Sequence, residues 1–285
     1  VDKILVPIGV SFFTFHNISY LVDISRKEIP AAKNFFDYAF YVTYFPHLIA
    51  GPIVRARDFI PQIHTPYQLS KYDFSWSLWM IGKGLLKKLI FADYIAVHFI
   101  DKVLDAPDAY PGFVGLIAMF AYSLQIYADF SGYTDMAIGV SKLMGFTLLE
   151  NFNSPYKSVS VADFWRRWHK SLGSWLRDYL YVPLGGSRHG TWRTYRNLMI
   201  TMVLGGLWHG ASWNFVVWGA IHGSWLAFER ARGKFQRRDL LPRDVTPVRG
   251  LHSGGQGGGR SLSPQSAHCV SLCTSGPLPS PRAFP

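Results

Sequence analysis

Five stretches of the chain, at about residues 4 to 24, 35 to 54, 76 to 100, 111 to 128 and 197 to 228, are dominated by apolar side chains. Each is near or above the ~20 residues that a helix needs to cross a bilayer. In hydrocarbon every backbone N–H and C=O must be satisfied within the spanning segment itself, so stretches of this kind become helices. The rest of the composition agrees: charged residues make up 16% of the chain, against roughly 25% in ordinary soluble domains. They cluster between the apolar runs, as loops between spans would. The pattern predicts an all-α, polytopic integral membrane bundle whose first solvent partner is the lipid bilayer.

Glycine, proline and polar residues interrupt several of these runs. Irregular backbone at bilayer depth is tolerated where it is buried in protein or lines a cavity, and Pro7-Ile8-Gly9 and Gly51-Pro52 are places of that kind. Lys83 and Lys87 fall one turn apart on one face of the 76 to 100 segment, which suits either a span or an interfacial helix. Residues 129 to 146 are weakly apolar and carry Asp129 and Asp135, as expected of a helix packed inside a bundle. The last run is long enough for a span plus a turn or for two short re-entrant helices, and the sequence leaves both open.

Between residues 142 and 196 there are nine basic residues against three acidic ones. The loop-charge rule places this segment on the cytoplasmic side. It also accounts for the net charge of +11 without nucleic acid, because the basic residues sit beside tryptophans and between apolar segments. Trp165, Trp168, Trp175 and Trp192 are interleaved with the charges, and tryptophan with arginine belongs at headgroup level. Residues 160 to 182 are therefore expected to form one interfacial or re-entrant helix.

Apolar periodicity stops after Phe228, and the sequence becomes rich in Gly, Ser, Pro and Arg. A membrane domain over residues 1 to 233 followed by a disordered, non-native tail over 234 to 285 is the expected division. Cys269 and Cys273 both fall in that tail, so the main body has no thiolate metal site or disulfide. Val1-Asp2-Lys3 leads straight into an apolar run without a signal-peptide cleavage site, and the missing initiator methionine suggests a fragment.

No GxSxG, HExxH, Walker or GxGxxG pattern follows a strand anywhere in the chain. The chemistry-bearing words are Asp163-Phe164-Trp165-Arg166-Arg167-Trp168-His169-Lys170-Ser171-Leu172 and Gly206-Leu207-Trp208-His209-Gly210. An ionisable group inside an apolar run is costly, so His209 is the first catalytic candidate. The plainer reading is a histidine stacked on Trp208 and hydrogen-bonded to a carbonyl. For His169, among Arg166, Arg167 and Lys170, the plainer reading is an interfacial polar residue. Asp129 and Asp135 suit pairing with lysine or arginine on another helix, and Pro183-Leu184-Gly185-Gly186 suits a turn. His209 and His222 are separated by thirteen residues, roughly 220° around a straight helix, so no metal site is expected.

Several longer words carry a resemblance. They are Pro7-Ile8-Gly9-Val10-Ser11-Phe12-Phe13-Thr14-Phe15, Tyr44-Phe45-Pro46-His47-Leu48-Ile49-Ala50-Gly51-Pro52-Ile53, Asp129-Phe130-Ser131-Gly132-Tyr133-Thr134-Asp135-Met136-Ala137-Ile138-Gly139, Asn151-Phe152-Asn153-Ser154-Pro155-Tyr156, residues 163 to 171, residues 175 to 186, and Leu207-Trp208-His209-Gly210-Ala211. Over residues 1 to about 230 the chain resembles the membrane-bound O-acyltransferase family, in particular its alginate O-acetyltransferase branch. The resemblance implies a multi-helix enzyme with re-entrant or interfacial helices around a tunnel, and further helices before Pro7 and after Phe228. It places the intramembrane catalytic histidine at His209 and the second histidine at His169.

With that resemblance, His209 is expected to act as general base, favoured in its neutral form by burial. His169 would orient the donor or complete the tunnel. Arg166, Arg167 and Arg177 would neutralise donor phosphates, and Trp168 and Trp208 would shape the tunnel walls. No bound cofactor is implied; the acyl donor would be acetyl-CoA or another acyl thioester. The acceptor would be an exported, alginate-like polysaccharide reached through a periplasmic or extracellular partner protein, and the location the cell inner membrane. D-Alanyl transfer to teichoic acid and a non-catalytic channel or transporter are the competing functions.

Overall fold

The computed structural model of the protein describes residues 9 to 233. Residues 1 to 8 and 234 to 285 lie outside the described residues, and with them the expected tail and both cysteines. Among the described residues every regular element is helical.

The first helix, α1 (Val10–Ser25), starts after Gly9, whose positive φ of 78° is open to glycine. The apolar run at 35 to 54 is not a single span. It forms α2 (Phe35–Thr43), with Asn34 accepting from the Phe36 amide, then the one-turn α3 (Phe45–Leu48) around Pro46. After Gly51-Pro52 the chain runs extended into α4 (Ala56–Ile63). Tyr20, Tyr41, Tyr44, Val54 and Phe59 pack with Ile138 and Leu148 into one buried cluster, which holds these short helices together.

Ser70 caps α5 (Lys71–Leu86) by accepting from the Asp73 amide. The helix continues through widened π-type turns at Lys87–Tyr94 and Ala96–Ile100 into α6 (Asp101–Asp105). The stretches 111 to 128 and 129 to 146 join into a single 32-residue helix, α7 (Gly112–Leu143). Of the described helices, α7 alone is both long and apolar enough to cross a membrane, with a mean hydropathy of 1.4 over its best window. Its outward side chains are Phe113, Met119 and Phe120, each about two-thirds exposed.

The inner face of α7 packs on α5 through glycines: a Cβ at Gly132 would lie 2.8 Å from the Gly84 carbonyl oxygen, so only small residues allow this approach. Both expected carboxylates find lysines across this interface. Lys87 reaches Asp135 at 2.7 Å and Lys83 reaches it at 3.3 Å, while Lys88 reaches Asp129 at 2.6 Å.

The last apolar run resolves into two helices, α10 (Thr191–His209) and α11 (Trp213–Ala231). Gly210 ends the first and Ser212 caps the second, accepting from the Asn214 amide. Gly206 meets Phe215, Gly219 meets Met202 and Gly223 meets Met199; partners that descend in number as the glycines ascend make the pair an antiparallel hairpin.

Between α7 and this hairpin lies the tryptophan–arginine segment. It is not the one helix expected over 160 to 182 but two of seven residues, α8 (Val161–Arg167) and α9 (Lys170–Leu176), followed by a π-type turn at Arg177–Tyr181. Residues 182 to 189 form the expected turn region, with positive φ at Gly185 and Gly186. The Asn197 side-chain amide closes it by donating to the Leu184 and Gly186 carbonyls, both at 3.0 Å.

Candidate active site

The first turn of α8 is capped twice. Ser160 accepts from the Asp163 amide at 3.0 Å. The Glu229 carboxylate, from α11, accepts from the Val161 amide at 2.9 Å and the Ala162 amide at 3.1 Å, which also sets a negative charge at the positive end of the helix. Inside that turn Asp163 takes both arginines of the motif, Arg166 at 2.8 Å and Arg167 at 3.0 Å. Burial alone would raise the Asp163 carboxyl, but the Arg167 hydrogen bond, the Val159 amide and the two guanidinium charges hold it below the usual carboxylate value.

The break between α8 and α9 falls at His169, which sits in the left-handed region at φ 44°, uncommon for a residue with a Cβ. A strap from Asn151 to Asn153 holds it there. The Asn151 carbonyl accepts from the Lys170 amide, its side-chain oxygen accepts from the Ser171 amide, and the Asn153 amide donates to the Arg167 carbonyl. The third amide of the new helix, Leu172, donates to His169 Nδ1 at 3.3 Å. An imidazole nitrogen that accepts carries no proton, so the proton of the neutral ring is on Nε2. That Nε2 is enclosed and has no partner among the described residues. His169 is 3% exposed, with Phe130 edge-on at 4.6 Å.

His209, the last residue of α10, has the opposite arrangement. Its Nδ1 lies 2.7 Å from the Gly205 carbonyl oxygen, so Nδ1 carries the proton and Nε2 keeps a lone pair. The carbonyl bond and the contact with Trp208, ring centroids 4.8 Å apart, are both features of the plainer reading. Burial is not: His209 is exposed in the described structure, and of the two motif histidines it is His169 that is buried. The expected burial of His209 is therefore not found among the described residues: its ring lies at the end of α10 against Trp208, Phe215 and Trp218.

Both histidines line one cavity of about 130 Å³, whose wall includes Trp165, Arg166, Arg177, Tyr181 and Trp218. Trp208 touches both rings, 6.3 Å from His169 and 4.8 Å from His209 by centroid, with its indole nitrogen enclosed and without a partner among the described residues. Arg177 lines the cavity while its Nε donates to Asp178 Oδ1 at 2.6 Å. Three of the predicted residues are not on the cavity wall: Trp208, which touches both rings, and two that sit elsewhere. Arg167 turns to Asp163 and the Asn153 carbonyl, and Trp168 packs among Phe152, Phe164 and Tyr127, where it supports α8 and not the cavity.

His209 and His222 lie on different helices on either side of Trp218, whose ring is 5.3 Å from one and 4.8 Å from the other. The straight-helix argument against a metal therefore does not apply. Among the described residues no cluster of three or more His, Cys, Asp or Glu side chains is placed to hold a metal ion.

Sequence reasoning missed Glu229 and Asn151, since each reaches the site through contacts far along the chain, and gave no role to Tyr181, which lines the cavity from the turn after α9. Asn151 lay within a quoted word, but nothing local marks it as the cap of a helix nineteen residues later. Chemically, the cavity is lined by two imidazoles of complementary tautomer, one with an accepting and one with a donating Nε2, and by guanidinium-bearing residues.

The sequence model of the family described as MBOAT, membrane-bound O-acyltransferase family, matches residues 11–244. The chain is 50% identical over 250 residues to a protein of Azotobacter vinelandii named "Probable alginate O-acetylase", covering 87% of this chain and 48% of that protein. It is 38% identical to a peptidoglycan O-acetyltransferase of Helicobacter pylori, covering 82% and 49%. To a teichoic acid D-alanyltransferase of Bacillus subtilis it is 30% identical, covering 75% and 56%. The chain spans about half the length of the curated relatives it matches.

Proposed function

Because the chain belongs to the membrane-bound O-acyltransferase family, we propose that it carries the reaction centre of an O-acetyltransferase. The enzyme moves an acetyl group from a thioester donor on the cytoplasmic side toward an exported, alginate-like polysaccharide. The observation that carries this reading is the pairing of complementary histidines in one cavity: His209 with an accepting Nε2 and His169 with a donating Nε2.

The chemistry follows from those two nitrogens. His209 Nε2 takes the proton of an acceptor hydroxyl as its oxygen attacks the thioester carbonyl carbon. Negative charge then develops on the carbonyl oxygen, and the His169 Nε2–H is the group available to stabilise it; a single such donor is typically worth about 10²–10³ in rate. Collapse breaks the carbon–sulfur bond, and the leaving thiolate takes back the proton held by His209, so acid and base balance within one cycle. Arg177 and Arg166 stand at the cavity wall to meet phosphate groups of the donor.

Acetyl transfer is favoured over D-alanyl transfer by the higher identity to relatives named for O-acetylation. The finer expectations, a multi-pass position in the inner membrane, a tunnel, and a periplasmic partner that completes delivery, belong to the same reading. The test is the acetyl content of exported polysaccharide in cells expressing the full-length parent, alongside His209→Ala at matched membrane abundance. Loss of acetyl groups is expected. Unchanged acetylation would return His209 to a packing role, and loss of a D-alanyl ester instead would move the acyl group to the other branch.

A further inference from the structure

Among the described residues no Asp or Glu lines the cavity of the two histidines, whereas Arg166, Lys170 and Arg177 do. The carboxylates bonded to residues of the wall are already committed. Asp163 accepts from Arg166 and Arg167, and Asp178 accepts from Arg177 and Arg55. The Glu229 oxygens accept from the Val161 and Ala162 amides and from Trp225 Nε1 at 3.1 Å. Lys170, the first residue of α9, differs from the two arginines on the wall: they are held by Asp163 and Asp178, whereas its side chain forms no ion pair among the described residues.

Much of the remaining wall is apolar, with Leu172, Leu176, Leu198, Met202 and Leu226. The Ser174 and Thr201 hydroxyls donate back to the Ser171 and Asn197 carbonyls. Of the two imidazoles only His209 has an accepting Nε2, and an ammonium bound there would occupy the base that the reaction needs. An acyl group with an amino substituent therefore meets like charge and no carboxylate, a costly setting for a cation taken out of water.

Room is not the obstacle. The cavity measures about 130 Å³, close to the ~150 Å³ of an apolar cavity that takes up benzene. A Cβ built at Gly173 on its wall would meet only the Trp165 carbonyl oxygen within 4 Å, at 3.8 Å.

We infer that the cavity selects its acyl group by charge and not by size: it accepts short neutral acyl groups, branched ones included, and excludes aminoacyl groups, with Lys170 as the specificity-determining residue. This rests on the cavity being the reaction centre, as proposed above.

The test uses permeabilised membranes from cells expressing the full-length parent and three coenzyme A thioesters, acetyl, isobutyryl and D-alanyl. The readout is thiol release above that of His209→Ala membranes. Isobutyryl and D-alanyl differ only in a methyl group against an ammonium on the α-carbon, so their ratio isolates charge. At about pH 6, below the ordinary α-amino value of about 7.7–8.0, kcat/KM for isobutyryl-CoA should exceed that for D-alanyl-CoA at least about a hundredfold, the scale of a like-charge juxtaposition. The ratio should narrow as pH rises through the α-amino value. Lys170→Glu, which sets a carboxylate on the wall, should narrow it at pH 6 by about tenfold or more.

Equal use of isobutyryl-CoA and D-alanyl-CoA, whether both good or both poor, would overturn selection by charge, and a ratio that Lys170→Glu leaves unchanged would overturn the role of Lys170; with acetyl-CoA still used, either leaves the reaction centre standing. No His209-dependent release from acetyl-CoA would remove the reaction centre itself, and the selection with it. Should Lys170→Glu fail to accumulate, Lys170→Met decides: a narrower ratio supports the inference, and an unchanged one overturns it.

Discussion

His169 and Leu172 share a hydrogen: the Leu172 amide donates to the Nδ1 of the imidazole three residues earlier, and this contact decides which ring nitrogen keeps a proton. In the proposed reaction this Nε2–H is the hydrogen-bond donor that His169 supplies. His169→Ala is expected to lower kcat about 10²- to 10³-fold, while His169→Gln, whose amide places an N–H at a similar reach, should lose less. Equal losses at equal membrane abundance would make the ring a packing element.

Glu229 ties α11 to the start of α8 through two backbone amides. Replacing it with alanine should cost about 0.5–2 kcal/mol, the usual range for a lost N-terminal cap. The measurement is hydrogen exchange in the detergent-solubilised parent, where the Val161 and Ala162 amides should exchange faster in Glu229→Ala than in the parent. Unchanged exchange at those two amides would show that Ser160 alone suffices.

The Asp163 carboxyl, held below its ordinary value by Arg167 and Arg166 against the opposing effect of burial, gives a pH dependence of known sign. A depressed carboxylate contributes stability that is full above the ordinary carboxylate value and is lost as pH falls through the depressed one. Asp163→Asn should therefore melt lower than the parent at neutral pH. The gap should narrow below the ordinary carboxylate range, as the parent carboxyl takes its proton. A gap that stays constant with pH would mean that shape, not charge, is what Asn fails to supply.

Helix contact through Gly132 is also testable. A Cβ there meets the Gly84 carbonyl, whereas one at Gly115 on the same helix meets nothing within 4 Å. Gly132→Leu should sharply reduce membrane accumulation while Gly115→Leu leaves it near parental. Similar behaviour of the two would show that α5 and α7 part without consequence.

Much of the fold follows from local rules, and its departures have non-local causes. The lysine partners of Asp129 and Asp135 were legible because a carboxylate in an apolar helix has few affordable alternatives. The pairing of the two motif histidines in one cavity was legible only through the resemblance, since His169 and His209 are forty residues apart. The break at His169 was not legible at all. Residues 163 to 172 read as continuous helix, and it is the Asn151 strap, brought back from the preceding loop, that takes the Lys170 and Ser171 amides and stops α8 from propagating. Burial at the two histidines was reversed for a related reason: His209 lies within an apolar run, but α10 ends there, and His169 is covered by Phe130 of α7. Arg167 and Trp168 were drawn to the site by adjacency in sequence, although a turn of helix points them at Asp163 and at Phe152 instead.

The division of the tryptophan–arginine segment also sets a depth. Seven residues of helix rise about 10 Å, roughly a third of the hydrocarbon thickness, so neither α8 nor α9 can carry the chain from one face of a bilayer to the other. The imidazole at their joint stands within that rise of the far end of either helix. If the donor is anchored by its phosphates near Arg177, as proposed, an arm of about two helical turns, ~10 Å, brings its thioester to His169.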